Sequence, residues 1–173
     1  GRVVSGSDFC GRQDSISELS EYFLSAQNVV VQGERRIGKT SLIVETARKI
    51  KMDRTLLAVD LMAIKSAQDI YERMLKSVFK LERDDRSLNK LLKMLSHLRP
   101  VVGVDPNTNA LTVSLDTSNR VSPTSLEEAL DLIENMNERK KLIVFFDEFQ
   151  EVLTCSEQRE ILAILRSKIQ YHK

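Results

Sequence analysis

The sequence predicts an α/β fold with a mostly parallel sheet. One observation and one rule carry this. Short apolar runs rich in β-branched residues (Val29-Val30-Val31, Thr55 to Asp60, Leu142 to Phe146) alternate with longer segments of helical period. Parallel strands need helical crossovers, and the right-handed rule places those helices on both faces of the sheet.

The chain has 173 residues, enough for one domain with its own core, and 1–173 is read as a single unit. Hydrophobic residues make up 42% and charged residues 29%, a globular balance, and the formal net charge of +1 gives no global reason to expect nucleic acid or a membrane surface as partner. No apolar stretch approaches the roughly 18 residues of a membrane span. Cys10 and Cys155 form no disulfide framework, and with His97 and His172 isolated there is no metal-ligand spacing; this suits a reducing, cytoplasmic setting.

In chain order, Gln13 to Ala26 is predicted as a helix, with Ser15 and Glu18 as a capping box and Ile16, Leu19, Tyr22 and Phe23 as its apolar face. Val29–Val31 is predicted as a buried strand, followed by a glycine-bearing turn and a helix from Ser41 to Ile50. Thr55 to Asp60 is a second buried strand. A helix from about Ser66 to Leu81 carries Ile70, Met74, Leu75, Val78 and Phe79 on one face. Another from about Asp84 to Leu98 carries a leucine stripe, read as core or sheet cover in preference to a partner-binding face. Two alternating arms, Pro100 to Asp105 and Ala110 to Leu115, flank a Pro/Asn turn and read as a β-hairpin inserted near the sheet edge. Ser122-Pro123 opens a helix to about Arg139, with Glu127 and Glu128 toward its positive end. After the 142–146 strand, Ser156 to Tyr171 is helical, its apolar face being Ile161, Leu162, Leu165 and Ile169.

Two motifs carry chemistry. Gly33-Glu34-Arg35-Arg36-Ile37-Gly38-Lys39-Thr40 fits G-x-x-x-x-G-K-[ST], the phosphate-binding loop, and has the strand-before, helix-after context that the motif requires. The start of a helix leaves backbone N–H groups without partners, and its dipole attracts anions. Lys39 would face the β- and γ-phosphates and the Thr40 hydroxyl a Mg²⁺ ion. Arg35 and Arg36 face either phosphate or solvent. The competing reading is a plain surface turn before an amphipathic helix. The second motif is Asp147-Glu148, two acids at the C-terminal end of an apolar strand, the sheet edge where ligands bind in open α/β folds. Asp147 is the candidate for the metal and Glu148 the candidate general base for an attacking water. A solvated strand end is the alternative for these acids taken alone.

Phe9-Cys10-Gly11-Arg12, then Gly-x-Arg-Arg-x-Gly-Lys-Thr-Ser-Leu, then a hairpin, then Phe-Phe-Asp-Glu-Phe-Gln together resemble the archaeal-type ATPases, relatives of the AAA+ and signal-transduction (STAND) P-loop ATPases. The resemblance covers about residues 9 to 170. It implies a three-layer α/β/α P-loop fold, ATP and Mg²⁺ as ligands, and slow hydrolysis by an isolated fragment. By position it implies that Phe9, Gly11 and Arg12 help close the pocket beside the adenine. It makes Gly33 to Ser41 the phosphate loop, Lys39 and Glu148 the catalytic pair, and Thr40 and Asp147 the metal ligands. Gln150 falls on a polar position of unassigned role. For Arg12 the sequence equally allows a helix-start arginine paired with Asp14 or Glu18. Family members continue into a sensor strand, a further strand and a helical lid, whereas this chain stops at Lys173. The resemblance therefore implies a longer natural protein and, for this stretch alone, a sheet that is gapped, rearranged or completed by another chain. A nucleotide-gated switch is the alternative function. No Asn-Lys-x-Asp guanine signature is present, because Asn89-Lys90-Leu91-Leu92 lacks the acid. Partner, oligomeric state and any arginine finger are not readable, and no feature directly supports nucleic-acid binding.

Overall fold

The computed structural model describes residues 3–34, 36–81, 100–104, 111–115 and 123–171. Its elements are α1 (Gln13–Leu24), α2 (Lys39–Lys49), β1 (Thr55–Asp60), α3 (Ala67–Leu81), β2 (Pro100–Val104), β3 (Leu111–Leu115), α4 (Pro123–Lys140), β4 (Leu142–Asp147) and α5 (Gln158–Tyr171). A 3₁₀ turn at Phe149–Thr154 links β4 to α5. The predicted helix at 84–98 lies outside the described residues, as do His97, His172 and the capping residue Ser122.

The fold is mixed α/β. β1 and β4 pair in parallel, from Thr55 opposite Leu142 to Asp60 opposite Asp147. The pairing continues past the strands, where the Leu61 N–H reaches the Asp147 carbonyl at 3.0 Å. β2 and β3 form the expected antiparallel hairpin, but as a separate two-stranded sheet.

The core grows on one face of the parallel pair. Leu57 and Val59 of β1 are buried while Ala58 between them is exposed, so β1 alternates as a strand covered on one side. This corrects the expectation of a strand buried on both faces. The covering helices are α3, through Ile70, Met74, Leu75, Val78 and Phe79, and α4, through Leu126, Ala129, Leu132, Ile133 and Met136. Arg73 and Ser77 tie α3 to the β1 carbonyls of Asp60 and Ala58 at 2.6 and 2.7 Å. Ile161 and Leu165 of α5 join this core, but Ile169, predicted on the same face, is 52% exposed.

A second, small cluster joins α1 to α2 through Ile16, Leu19 and Leu42, with Phe9, Tyr22, Phe23 and Val31 packed against it. α2 stands beside the other face of β1, where a cavity of about 270 Å³ remains between Val44 and Ala47 and the start of β1 at Thr55 and Leu56. At its N-terminal end α2 is also joined to β4, through a side-chain bond described below.

Two local expectations fail. Val29–Val31 forms no strand: Val30 is 82% exposed, and β4 pairs only with β1 among the described residues. Three β-branched residues in a row favour extended backbone, but a strand exists only where a neighbour supplies the ladder. Nor do Ser15 and Glu18 form a capping box. The N-cap of α1 is Arg12, in the left-handed region at φ 58°, and Glu18 accepts from the Tyr22 hydroxyl at 3.0 Å instead.

Candidate functional site

The loop from Gly33 to Gly38 enters α2 through Gly38, whose φ of 88° lies in the left-handed region that glycine occupies without steric cost. Arg36 is also left-handed, at φ 69°. Arg35 lies outside the described residues. The helix's own ladder begins only with the Leu42 N–H on the Gly38 carbonyl at 2.9 Å.

Two cations fasten the loop. Lys39 Nζ donates to the carbonyls of Gly33 and Glu34, both at 2.9 Å. Arg12 Nη2 donates to the Ile37 carbonyl at 2.6 Å, so neither Asp14 nor Glu18 is its partner. Gly11, just before Arg12, is also in the left-handed region, at φ 80°. Phe9 is half-buried against the α1–α2 cluster. Ser41 is buried, and its hydroxyl accepts from the Val4 N–H at 3.0 Å.

Across from the loop, β4 ends at Asp147. Thr40 Oγ1 donates to Asp147 Oδ2 at 2.8 Å, and Asp147 Oδ1 accepts from the Glu148 N–H at 3.0 Å. Glu148 is left-handed at φ 53° and caps the 3₁₀ turn. Its carboxylate accepts from the Gln150 side-chain amide, which gives Gln150 a physical part in the motif. Thus the Thr40 and Asp147 side chains meet, Lys39 precedes Thr40 on α2 with its ammonium on the loop, and Glu148 adjoins Asp147 by one peptide.

Two acids that carried no assignment from the sequence also matter here. Asp60 stands in register beside Asp147, with Oδ1 accepting from the Met62 N–H at 2.8 Å. The signal was present in the sequence, since both strands end their apolar run in Asp. Glu45 of α2 is only 2% exposed, yet charged. It takes two bonds from Arg48 at 2.9 and 2.7 Å and one from the Gly6 N–H at 2.7 Å. The Arg48 bonds, then the Gly6 amide, outweigh burial and pull its carboxyl down to about 2. No sequence pattern marks a buried acid of this kind.

Among the described residues, no group of three or more His, Cys, Asp or Glu side chains is placed to hold a metal ion. No helix among them is long and apolar enough to cross a membrane. Cys10 is exposed and Cys155 buried, both as free thiols. Comparison of the chain with family models, with curated proteins and with solved structures finds no match.

Proposed function

We propose that this chain is a P-loop domain that binds ATP with Mg²⁺ and hydrolyses it slowly, coupling the nucleotide state to conformation. The observation that carries the reading is the contact of Thr40 Oγ1 with Asp147 Oδ2. A hydroxyl at the first turn of a helix and a carboxylate at the end of a parallel strand are the two protein groups that a phosphate-bound Mg²⁺ needs. Mg²⁺ takes its remaining positions from phosphate oxygens and water, so a three-ligand protein cluster is not required. The residues present fit that ion, with Thr40 and Asp147 on its protein side.

In this reading the amides of the 33–40 loop and the Lys39 ammonium receive the phosphates. The ammonium exchanges its two loop carbonyls for phosphate oxygens, a charge-assisted bond that is the stronger of the two. Glu148 takes a proton from water as the water oxygen bonds to the γ-phosphorus. The bond from that phosphorus to the bridging oxygen breaks, and ADP and phosphate leave. Positioning and electrostatics supply most of the rate. A cytoplasmic setting goes with the same reading.

The alternative is a STAND-type nucleotide switch that binds without turnover. The Glu148–Gln150 bond favours it, because it engages the carboxylate that hydrolysis needs free. Calorimetric titration of the intact chain with MgATP and MgGTP, followed by phosphate release, tests both. Binding of ATP over GTP, abolished in Lys39→Ala, supports the reading. Turnover lost in Glu148→Gln with binding retained selects the enzyme, and binding without turnover in the parent chain selects the switch. Absence of any nucleotide binding at millimolar concentration sinks both.

A further inference from the structure

Arg12 makes a contact that neither an adenine-side role nor a local ion pair explains. Its guanidinium is spent on a backbone carbonyl of the loop, that of Ile37, at 2.6 Å. The Ile37–Gly38 peptide is trans, as are all those described. In a trans peptide the C=O and N–H point in opposite directions. Drawing the Ile37 oxygen toward Arg12 therefore turns the Gly38 N–H away from Arg12. Gly38 has no side chain to resist this, and a Cβ built there would meet nothing within 4 Å. Nothing packed on the Gly38 Cα opposes the orientation that the Arg12 hydrogen bond favours.

Arg12 is itself well anchored. It caps α1, which packs on α2 through Ile16, Leu19 and Leu42. The segment before it is pinned to α2 twice more, by Val4 on Ser41 and by Gly6 on the buried Glu45. The guanidinium thus reaches the loop from a support fixed to the same helix that the loop begins. We propose that Arg12 is a positioning residue that presets the Gly38 amide toward a bound phosphate. This rests on the reading of Gly33–Thr40 as a phosphate loop. A preset donor does not have to be reoriented on binding, which raises affinity without adding a contact.

The test uses Arg12→Gly, which keeps the left-handed backbone accessible while removing the guanidinium, and Arg12→Lys, which restores one donor. The probes are sodium tripolyphosphate and ATP, each with Mg²⁺, titrated calorimetrically into the full chain. The ¹⁵N–¹H resonance of Gly38 is followed in the ligand-free protein. Arg12→Gly should weaken both probes by the same factor, about 5-fold for an exposed charge-assisted bond. The lysine variant should recover part of that loss, and the Gly38 resonance should move before ligand is added. A loss on ATP that is absent on tripolyphosphate overturns the proposal in favour of a direct contact with the base. Unchanged affinities in Arg12→Gly overturn it as well. If the parent chain binds neither probe, the phosphate-loop reading fails first and the proposal falls with it.

Discussion

Thr40 and Asp147 lie 107 positions apart, and their side chains meet at 2.8 Å with Thr40 as donor. This bond joins the small α1–α2 cluster to the parallel strand pair, and it does so at the end of the sheet where β1 and β4 both finish in aspartate. It contributes to structure as it stands, and in the function proposed above the same hydroxyl and carboxylate would hold one Mg²⁺ ion. Removing either partner should therefore act twice. Thr40→Val should cost about 1 kcal/mol of stability by leaving a half-buried carboxylate oxygen without its donor. With Mg²⁺ present, Thr40→Val and Asp147→Asn should each weaken ATP binding about 10-fold or more, and with EDTA they should change it little. Calorimetry in the two buffers makes the comparison, and equal losses in both would remove the metal from the explanation.

The two glycines of the loop should respond differently to alanine. At Gly38 the φ of 88° is the whole difficulty, because a Cβ there meets nothing. Gly38→Ala should lose about 1–2 kcal/mol from left-handed backbone alone, read in urea unfolding. At Gly33 the φ of 158° is also a backbone that L side chains rarely adopt, and a Cβ would in addition stand 2.5 Å from Ile37 Cδ1, the tip of a flexible and 40% exposed side chain. Gly33→Ala should therefore lose at least as much as Gly38→Ala, about 1–3 kcal/mol, from backbone strain with a rotamer change of Ile37 added. A smaller loss at 33 than at 38 would contradict this loop geometry.

Glu45 predicts an acid limb in the stability curve. Its folded carboxyl is lowered from 4.5 to about 2, chiefly by Arg48 and then by the Gly6 amide. A lowered acid stabilises the fold above its unfolded value, and that stabilisation is lost as pH falls through the folded one. The loss should therefore run from about pH 4.5 down to about pH 2. Arg48 is half exposed, so the contribution at neutral pH is nearer about 1–2 kcal/mol than the full shift implies. Glu45→Gln should be less stable by that amount at pH 7, and the difference should vanish toward pH 2. Denaturant midpoints at several pH values show it directly.

Tyr71 sits wholly inside the main core, and among the described residues its hydroxyl has no hydrogen-bond partner. Burial, ahead of the nearby Glu128 and Glu72, raises its phenol well above the ordinary value. A buried hydroxyl without a partner costs desolvation and returns nothing. Tyr71→Phe should therefore be neutral or raise stability by up to about 1 kcal/mol. A thermal midpoint that falls by several degrees would mean that the hydroxyl has an acceptor after all.

The sequence was most legible where one pattern decides one contact. The 3.6-residue period of Ile70, Met74, Leu75, Val78 and Phe79 names the buried face of α3, because a helix's partners follow from its own repeat. The strands Thr55–Asp60 and Leu142–Asp147 and the antiparallel pair Pro100–Val104 and Leu111–Leu115 are found where their composition places them. The sequence was least legible where structure depends on a partner far along the chain. Glu45 looks like any surface acid of an amphipathic helix until Gly6 and Arg48 close over it. Arg12 had local acids to choose from and took a carbonyl 25 positions away. Of the candidate residues, Thr40 and Asp147 come into contact across the two motifs, while the Glu148–Gln150 pair is visible only in three dimensions.

Val29–Val31 shows the same limit from the other side, and it supplies a decisive test of the fold. Three consecutive β-branched residues before a glycine loop read as a buried central strand. In the structure Val30 is 82% exposed and only Val31 joins the α1–α2 cluster, as a half-buried neighbour. The two arrangements assign opposite costs to one substitution. A buried valine exchanged for serine would lose about 2–3 kcal/mol through transfer, cavity and a stranded hydroxyl. An exposed one should change stability by less than about 0.5 kcal/mol. Val30→Ser should therefore leave the unfolding midpoint in place, while Val31→Ser should lower it measurably. If Val30→Ser instead costs as much as a core substitution, then Val30 is packed against a neighbour in solution and the exposed arrangement is wrong.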